Sequence, residues 1–203
     1  MINRRSFLTT SAASLFATSA FAQTAPQSTW IDELTATLPG KTEGNYSIPE
    51  KYWATVVSVN PNLPVGEIHI QPQSKHLYFT VAEGYAIRYG CAIGQEGLAY
   101  FGTGVIGRKV EWPSWTPTPE MIQRNPDAYA QYADGMPGGP QNPLGARAMY
   151  VYENGRDTAI RVHGTTSPRS IGSASSNGCF RMYNSHVIDL YNRVPIGTVI
   201  HAY

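Results

Sequence analysis

At 203 residues and 22.2 kDa the chain has room for one ordinary domain and its core. A composition of 42% hydrophobic and 14% charged residues, with 19 Gly, 15 Pro and 13 Tyr, is that of a turn-rich globular protein and excludes extended disorder. A formal net charge of +1 gives no reason to expect nucleic acid as a partner.

The opening stretch "MINRRSFLTTSAASLFATSAFAQ" reads as an export signal over residues 1–22. It has a basic head at Arg4 and Arg5, an uncharged Ala/Ser/Thr/Leu/Phe stretch and a small-x-small cleavage pattern at Ala20-Phe21-Ala22. "NRRSFL" resembles the twin-arginine pattern, which carries folded proteins across the membrane. Removing this signal takes away two arginines and moves the formal charge from +1 to −1. No cysteine follows the cleavage pattern to carry a lipid, and no later apolar run is long enough to span a bilayer. The expectation is a mature chain without a membrane span, working in the periplasm.

Residues 23–52 read as a loosely packed arm with at most one short helix, in "WIDELTATLPG", ended by Pro39-Gly40. From Trp53 the runs "WATVVSVN", "VGEIHI", "HLYFTV", "YAIRYGCAI" and "GVIGRKVEW" predict strands in antiparallel hairpins. In "KHLYFTV" the alternation puts Leu77, Phe79 and Val81 on the core face. His76, and likewise His69, then become rim residues without a functional role.

Residues 112–147 hold seven prolines, with one short helix expected in "PEMIQRN" and Pro119 in its first turn. Aromatic residues argue against disorder, which leaves a lid, a binding loop or a plain surface loop. "AMYVY" and "TAIRVH" follow as strands. After them comes a helix in "NSHVIDLYNRV", capped by Asn184 or Ser185, with Val187, Leu190, Tyr191 and Val194 inward and His186 and Asp189 solvated. "TVIHAY" closes the chain as a strand. The fold class is mainly β, in one domain over residues 53–203.

The unusual chemistry is concentrated in "HGTTSPRSIGSASSNGCFRMYN". His163 ends a strand, and Cys179 follows Gly178 in a tight turn that can fold back to bring the two side chains together. One Cys and one His are too few for a zinc site, so no metal is expected. A Cys91–Cys179 disulfide is the structural alternative, although a lone cysteine in a strand such as "RYGCAIG" is more often a small buried apolar residue. The functional reading is a nucleophile. Imidazole within reach of a thiol favours thiolate and later serves as general acid, and a Cys beside Gly offers amides to an oxyanion. Arg181 could hold a substrate carboxylate with its fork of donors, or pair with an acidic residue to pin the loop.

With its His-Gly-Thr, its later glycine, and Ser176-x-Gly-Cys-Phe-Arg-Met-x-Asn, this segment resembles the active-site signature of the L,D-transpeptidase (YkuD-type) catalytic domain. The likeness is dense over about residues 161–200 and weaker from about residue 60. It implies a β-sandwich-like domain with one or two short helices, acting on peptidoglycan stem peptides without a cofactor. It further implies Cys179 as nucleophile, His163 as proton donor and acceptor, and the Gly164 carbonyl orienting the ring. The N–H groups of Gly178 and Cys179 would face the oxyanion, and Ser176 and Arg181 would bind substrate. Acceptors would be a second stem, giving 3-3 cross-links, or a protein such as one of the outer membrane. Two departures stand out: Asn177 replaces a frequent second histidine, and "YFGTGVIG" replaces the usual Thr-Pro-x-Gly turn. An L,D-carboxypeptidase or endopeptidase on the same scaffold, and a non-catalytic wall-binding module, are the competing functions.

Overall fold

The computed structural model describes residues 29–203; the segment read as an export signal, with residues 23–28 of the arm, lies outside the described residues. Four α-helices are described: α1 (Thr29–Ala36), α2 (Pro119–Arg124), α3 (Pro126–Tyr129) and α4 (Asn184–Arg193). The first strands are β1 (Thr42–Glu43), β2 (Tyr46–Ser47), β3 (Thr55–Ser58), β4 (Ile68–Gln71), β5 (His76–Ala82), β6 (Tyr85–Gly90) and β7 (Ile93–Gly94). They continue with β8 (Gly102–Glu111), β9 (Arg147–Glu153), β10 (Arg156–His163), β11 (Ala174–Ser176), β12 (Phe180–Arg181) and β13 (Val199–Ala202). Nine of them form one mixed sheet in the order β12-β10-β9-β8-β13-β4-β5-β6-β3, and β1-β2 and β11-β7 form two small annexes. The domain is mainly β, as expected. Among the described residues no helix is long and apolar enough to cross a membrane.

The hairpins predicted from the alternating runs are present as β4-β5, β5-β6 and β9-β10, all antiparallel. Three pairings are parallel, β13 with β4 and β12 with β10 in the main sheet and β11 with β7 beside it, which corrects the expectation of antiparallel hairpins alone. Parallel neighbours must come from distant segments, so no local pattern announces them.

In β5, Leu77 and Phe79 are buried as the alternation requires, but so is Thr80. The ladder shifts register between Thr80 and Ala82, and the Thr80 hydroxyl donates to the Pro64 carbonyl (2.7 Å) and accepts from the Glu67 N–H (2.9 Å). A bulge that re-aims one side chain, with its polar group satisfied, breaks the period-two pattern here. The core joins Ile68, Leu77, Ile87, Met149, Val162 and Phe180 to the inner face of α4. Val187, Leu190 and Val194 on that face are buried, and Tyr191 packs at the edge.

The segment before β3 is packed against the domain, not loose. Tyr52 is buried, and its side chain fills the space that a side chain would need at Gly90 or Gly172, where an added Cβ would lie 2.6 Å from its Cβ and 2.0 Å from its hydroxyl oxygen. Glu43 caps α4, accepting from the Asn184 and Ser185 N–H groups (3.1 Å each) and from the Ser185 hydroxyl (2.7 Å). A carboxylate there satisfies otherwise unpaired amides at the positive end of the helix dipole. Asn184 and Ser185 are thus not the caps expected; Tyr183 holds that position, with no side-chain bond. The opposite end of α4 is closed by Lys109, which donates to the Tyr191 and Val194 carbonyls (2.6 Å each).

Three side chains expected in solvent are elsewhere. His186 is fully buried beneath Tyr89 and Tyr183, and burial pushes its pKa down to about 4. Asp189 is half-buried, accepting from the Tyr89 hydroxyl (2.6 Å) and from Arg193 (2.8 Å). His69, on the sheet face away from the core, is only 4% exposed because the His201 and Tyr203 rings stack beside it.

Candidate active site

The parallel register between β10 and β12 organises the site. Val162 stands opposite Phe180 and His163 opposite Arg181; both Val162 and Phe180 point into the core. Side chains alternate along a strand, so Arg161, His163, Cys179 and Arg181 must share the other face. All four line one cleft of about 540 Å³. Sixteen positions of chain separate His163 from Cys179, and one strand pairing brings them to the same wall.

Each member is held by specific contacts. His163 Nδ1 lies 2.6 Å from the Gly164 carbonyl. A carbonyl can only accept, so Nδ1 carries the proton and Nε2 keeps the lone pair. Burial, with the Arg181 charge nearby, pushes His163 down to about 4 despite the opposing pull of the Gly164 and Leu144 carbonyls. The ring is therefore neutral at physiological pH.

Cys179 is half-buried at the cleft wall, its thiol 3.7 Å from the Ala159 carbonyl. Desolvation raises its pKa, outweighing the backbone and charge of Arg161 and the charge of Arg181, so thiol is the resting form. Cys91 is also free, buried in the core and pushed up to about 12, and the alternative disulfide does not form.

Ser176 and Gly178 shape the turn. The Ser176 hydroxyl donates to the Cys179 carbonyl (2.5 Å) and accepts from the Gly178 N–H (3.2 Å). Ser176 is 1% exposed, so its main contacts are within the turn. Gly178 has φ +115°, and an added Cβ would sit 3.0 Å from the Leu98 carbonyl oxygen. Only glycine takes that conformation without strain. Arg181 has no carboxylate partner among the described residues, and burial lowers its pKa from the ordinary arginine value. Arg161 is bound on both sides, forked onto Asp157 (2.6 and 2.9 Å) and lying 4.0 Å over the Tyr150 ring.

Residues 112–147 cover this wall. Thr118 caps α2 through the Met121 N–H (3.3 Å), with Pro119 in the first turn as predicted, and the short α3 follows. Trp115 packs edge-on against Tyr129 and Tyr132, giving the loop its own small core. Asn177 ties loop to turn, accepting from Arg124 (3.0 Å) and donating to the Tyr129 hydroxyl (3.2 Å). Trp115, Met121, Arg124 and Tyr129 all face the cleft.

Two contributions to the site were not expected from the sequence, one of them from Asn184, which was expected only as a helix cap and signature residue. The Asn184 side chain accepts from the Ala146 N–H (2.9 Å) and donates to the Thr165 carbonyl (2.8 Å), stitching α4 to the segment that holds His163. Its oxygen fills the space where a Cβ on Gly145 or Gly164 would stand. The run of small residues around His163 was the available signal. The second is a bulge in β10: the ladder shifts between Asp157 and Arg161, and Ala159 adopts φ +62°, the left-handed region that non-glycine residues avoid. The carbonyl beside the Cys179 thiol is that of this residue.

This mixed-sheet fold is shared with solved L,D-transpeptidases. The crystal structure of the Enterococcus faecium L,D-transpeptidase C442S mutant superposes with a TM-score of 0.52 at 14% identity, over 70% of this chain and 50% of that one. Residues 66–201 match the YkuD family model, L,D-transpeptidase catalytic domain, and the chain belongs to that family. ORF 5 of the ATP synthase subunits region of Fuscovulum blasticum, which carries an L,D-transpeptidase name, is 43% identical over 107 residues, 53% of this chain and 52% of that protein. A Brucella melitensis crystal structure described as a probable carnitine operon oxidoreductase is 47% identical, with a TM-score of 0.53 over 77% of this chain and 97% of that one. The chain spans about half or less of the length of the curated relatives it matches.

Proposed function

We propose that this chain is a periplasmic L,D-transpeptidase that acts on peptidoglycan tetrapeptide stems through a Cys179 thioester, exported by its twin-arginine-like signal. The observation that supports this most is the placement of Cys179 and a tautomer-fixed His163 on one cleft wall, beside an Arg181 with no carboxylate partner among the described residues. In this reading the Cys179 sulfur attacks the carbonyl of the L-centred residue before the terminal D-alanine while His163 Nε2 takes the thiol proton. The carbon–sulfur bond forms, the carbon–nitrogen bond breaks, and the same proton passes to the departing amine. The Cys179 and Gly178 N–H groups face the oxyanion, the latter exchanging its long bond to Ser176. Arg181 holds a substrate carboxylate. An amine of a second stem or of a protein then attacks the thioester, its proton passing through His163 to the departing Cys179 sulfur as the carbon–sulfur bond breaks, giving a 3-3 cross-link or a wall-attached protein. Residues 112–147 are the lid, and 53–203 the catalytic domain.

The Brucella relative's name points to redox chemistry instead. The chain does contain Gly102-Thr103-Gly104-Val105-Ile106-Gly107, spaced as in dinucleotide-binding turns. All six residues lie inside β8, which is paired with β13 and β9, whereas that motif acts at a strand-to-helix turn. The run therefore supports no nucleotide site.

The test is intact-mass spectrometry of the protein, without reductant, after a carbapenem and separately after a disaccharide-tetrapeptide with a D-amino acid. An adduct that is lost in Cys179→Ser, together with exchange of the terminal D-alanine, is expected. Trimming to the tripeptide alone would make the chain a hydrolase, and no adduct would retire the nucleophile.

A further inference from the structure

On the sheet face opposite the core, Glu67, His69 and His201 converge. His69 and His201 are register partners on the parallel pair β4-β13, and Glu67 lies two residues before His69, on the same face. One ligand atom from each lies within 4.8 Å of the others. Glu67 Oε2 is 3.1 Å from His201 Nε2 and 3.6 Å from His69 Nε2. The cluster sits three strands across the sheet from β10, about 14 Å away at ordinary strand spacing, and has no part in the cleft chemistry.

Two further observations distinguish it from a surface ion pair. His69 is 4% exposed, and its Nε2, aimed into the cluster, is buried without a hydrogen-bond partner. A buried polar atom left in this way needs a reason. Both rings are also fixed from behind: the Tyr203 hydroxyl meets His69 Nδ1 at 2.8 Å, and the Thr103 hydroxyl meets His201 Nδ1 at 3.0 Å. Each hydroxyl oxygen can accept an Nδ1 proton, which leaves both Nε2 atoms, each beside Glu67 Oε2, free to ligate. Outer contacts of this kind orient the histidines of metal sites.

We propose that Glu67, His69 and His201 form a binding site for a divalent transition-metal ion, Zn²⁺ in the first instance. Two imidazole nitrogens and one carboxylate oxygen suit that ion, and water or a second carboxylate oxygen completes a tetrahedron. The His69 and His201 rings stack with 5.0 Å between centroids and only 13° between planes, so binding requires a modest tilt of the half-exposed His201 toward Glu67. The ion would clamp the final strand, β13, to β4.

The test uses the chain stripped of metal with a chelator and titrated with Zn²⁺, followed by calorimetry and native mass spectrometry. One Zn²⁺ per chain is expected, with a rise in melting temperature, unchanged in Cys179→Ser. His201→Gln and Glu67→Gln, both at half-exposed positions, should each weaken binding at least about 100-fold. Tyr203→Phe keeps the stacked ring but removes the hydroxyl, and should weaken binding about 10- to 100-fold with little change in the melting temperature of the metal-free protein. No binding, or binding unchanged in His201→Gln and Glu67→Gln, overturns the site. Binding lost in Cys179→Ser moves the metal to the cleft and also overturns it.

Discussion

Replacing Asn184 with Ala tests whether His163 is positioned from α4. The Asn184 side chain carries two hydrogen bonds, from the Ala146 N–H and to the Thr165 carbonyl, and both of those residues are nearly fully buried. Each buried partner left unpaired costs about 1–3 kcal/mol, so the variant should lose about 2–6 kcal/mol. That is a large share of the ~5–15 kcal/mol that holds a domain folded. Denaturant unfolding reads it as a lower midpoint at constant slope. Asn184→Asp keeps the acceptor for Ala146 but sets a carboxylate oxygen against the Thr165 carbonyl, and should be no more stable than the alanine variant.

The second readout is acylation by a carbapenem under conditions where both proteins remain folded. Asn184 ties down Thr165, next to Gly164, and the Gly164 carbonyl orients His163. A ring freed to change tautomer or tilt should cost at least about tenfold in acylation rate, about 1.4 kcal/mol in the barrier. A stability loss below about 0.5 kcal/mol would refute the claim that these two bonds carry the segment. A normal acylation rate in a destabilised protein would refute the link to His163.

Other changes give equally defined outcomes. Gly178→Ala forces a side chain into φ +115° beside the Leu98 carbonyl; it should cost about 1–3 kcal/mol in thermal unfolding and remove most acylation. Asn177→Ala frees the 112–147 loop from the turn by removing its bonds to Arg124 and Tyr129, so stability should change by less than about 1 kcal/mol while limited proteolysis within residues 117–133 accelerates. Folded His163 and His186 titrate at about 4, whereas in the unfolded chain they titrate near 6.5, so the unfolded state binds more protons between these values. Stability measured by urea midpoints should be level above about pH 6.5 and fall progressively toward pH 4. The acylation rate should stay level across neutral pH and drop only as His163 protonates near pH 4, whereas a resting thiolate–imidazolium pair would give a bell-shaped profile.

The sequence was most readable where structure is local. The alternation in "KHLYFTV" located β5, and Pro119 with the preceding Thr118 marked the start of α2. The His163-to-Cys179 segment could be singled out because glycine and small residues surround both side chains. What could not be read depends on partners far along the chain. His186 falls on the outer side of α4 by helical period, yet it is buried, and Glu43, 141 residues away from Asn184 in sequence, caps the same helix. His69 alternates to the outer face correctly, but the final strand brings His201 and Tyr203 alongside and buries it. Periodicity assigns a face to a residue, whereas burial depends on what else reaches that face.

The contacts around Cys179 favour a site that rests uncharged. A thiol beside a carbonyl can donate its proton to that oxygen, whereas a thiolate would face a negative dipole, and the Ala159 carbonyl occupies this position. It is there because the β10 bulge places Ala159 at φ +62°, a conformation that costs about 1–3 kcal/mol and persists only where surrounding contacts enforce it. Those contacts are present: Asp157 accepts from the Ala159 N–H (2.9 Å) and Thr158 donates to the Val151 carbonyl (2.7 Å). Burial keeps His163 neutral and raises the Cys179 pKa, so it acts in the same direction as the carbonyl. A protonated thiol next to a neutral base is less exposed to oxidation than a standing thiolate. In the proposed reaction, proton transfer would accompany attack, with developing charge met by Arg181 and the turn amides once substrate had displaced water from the cleft.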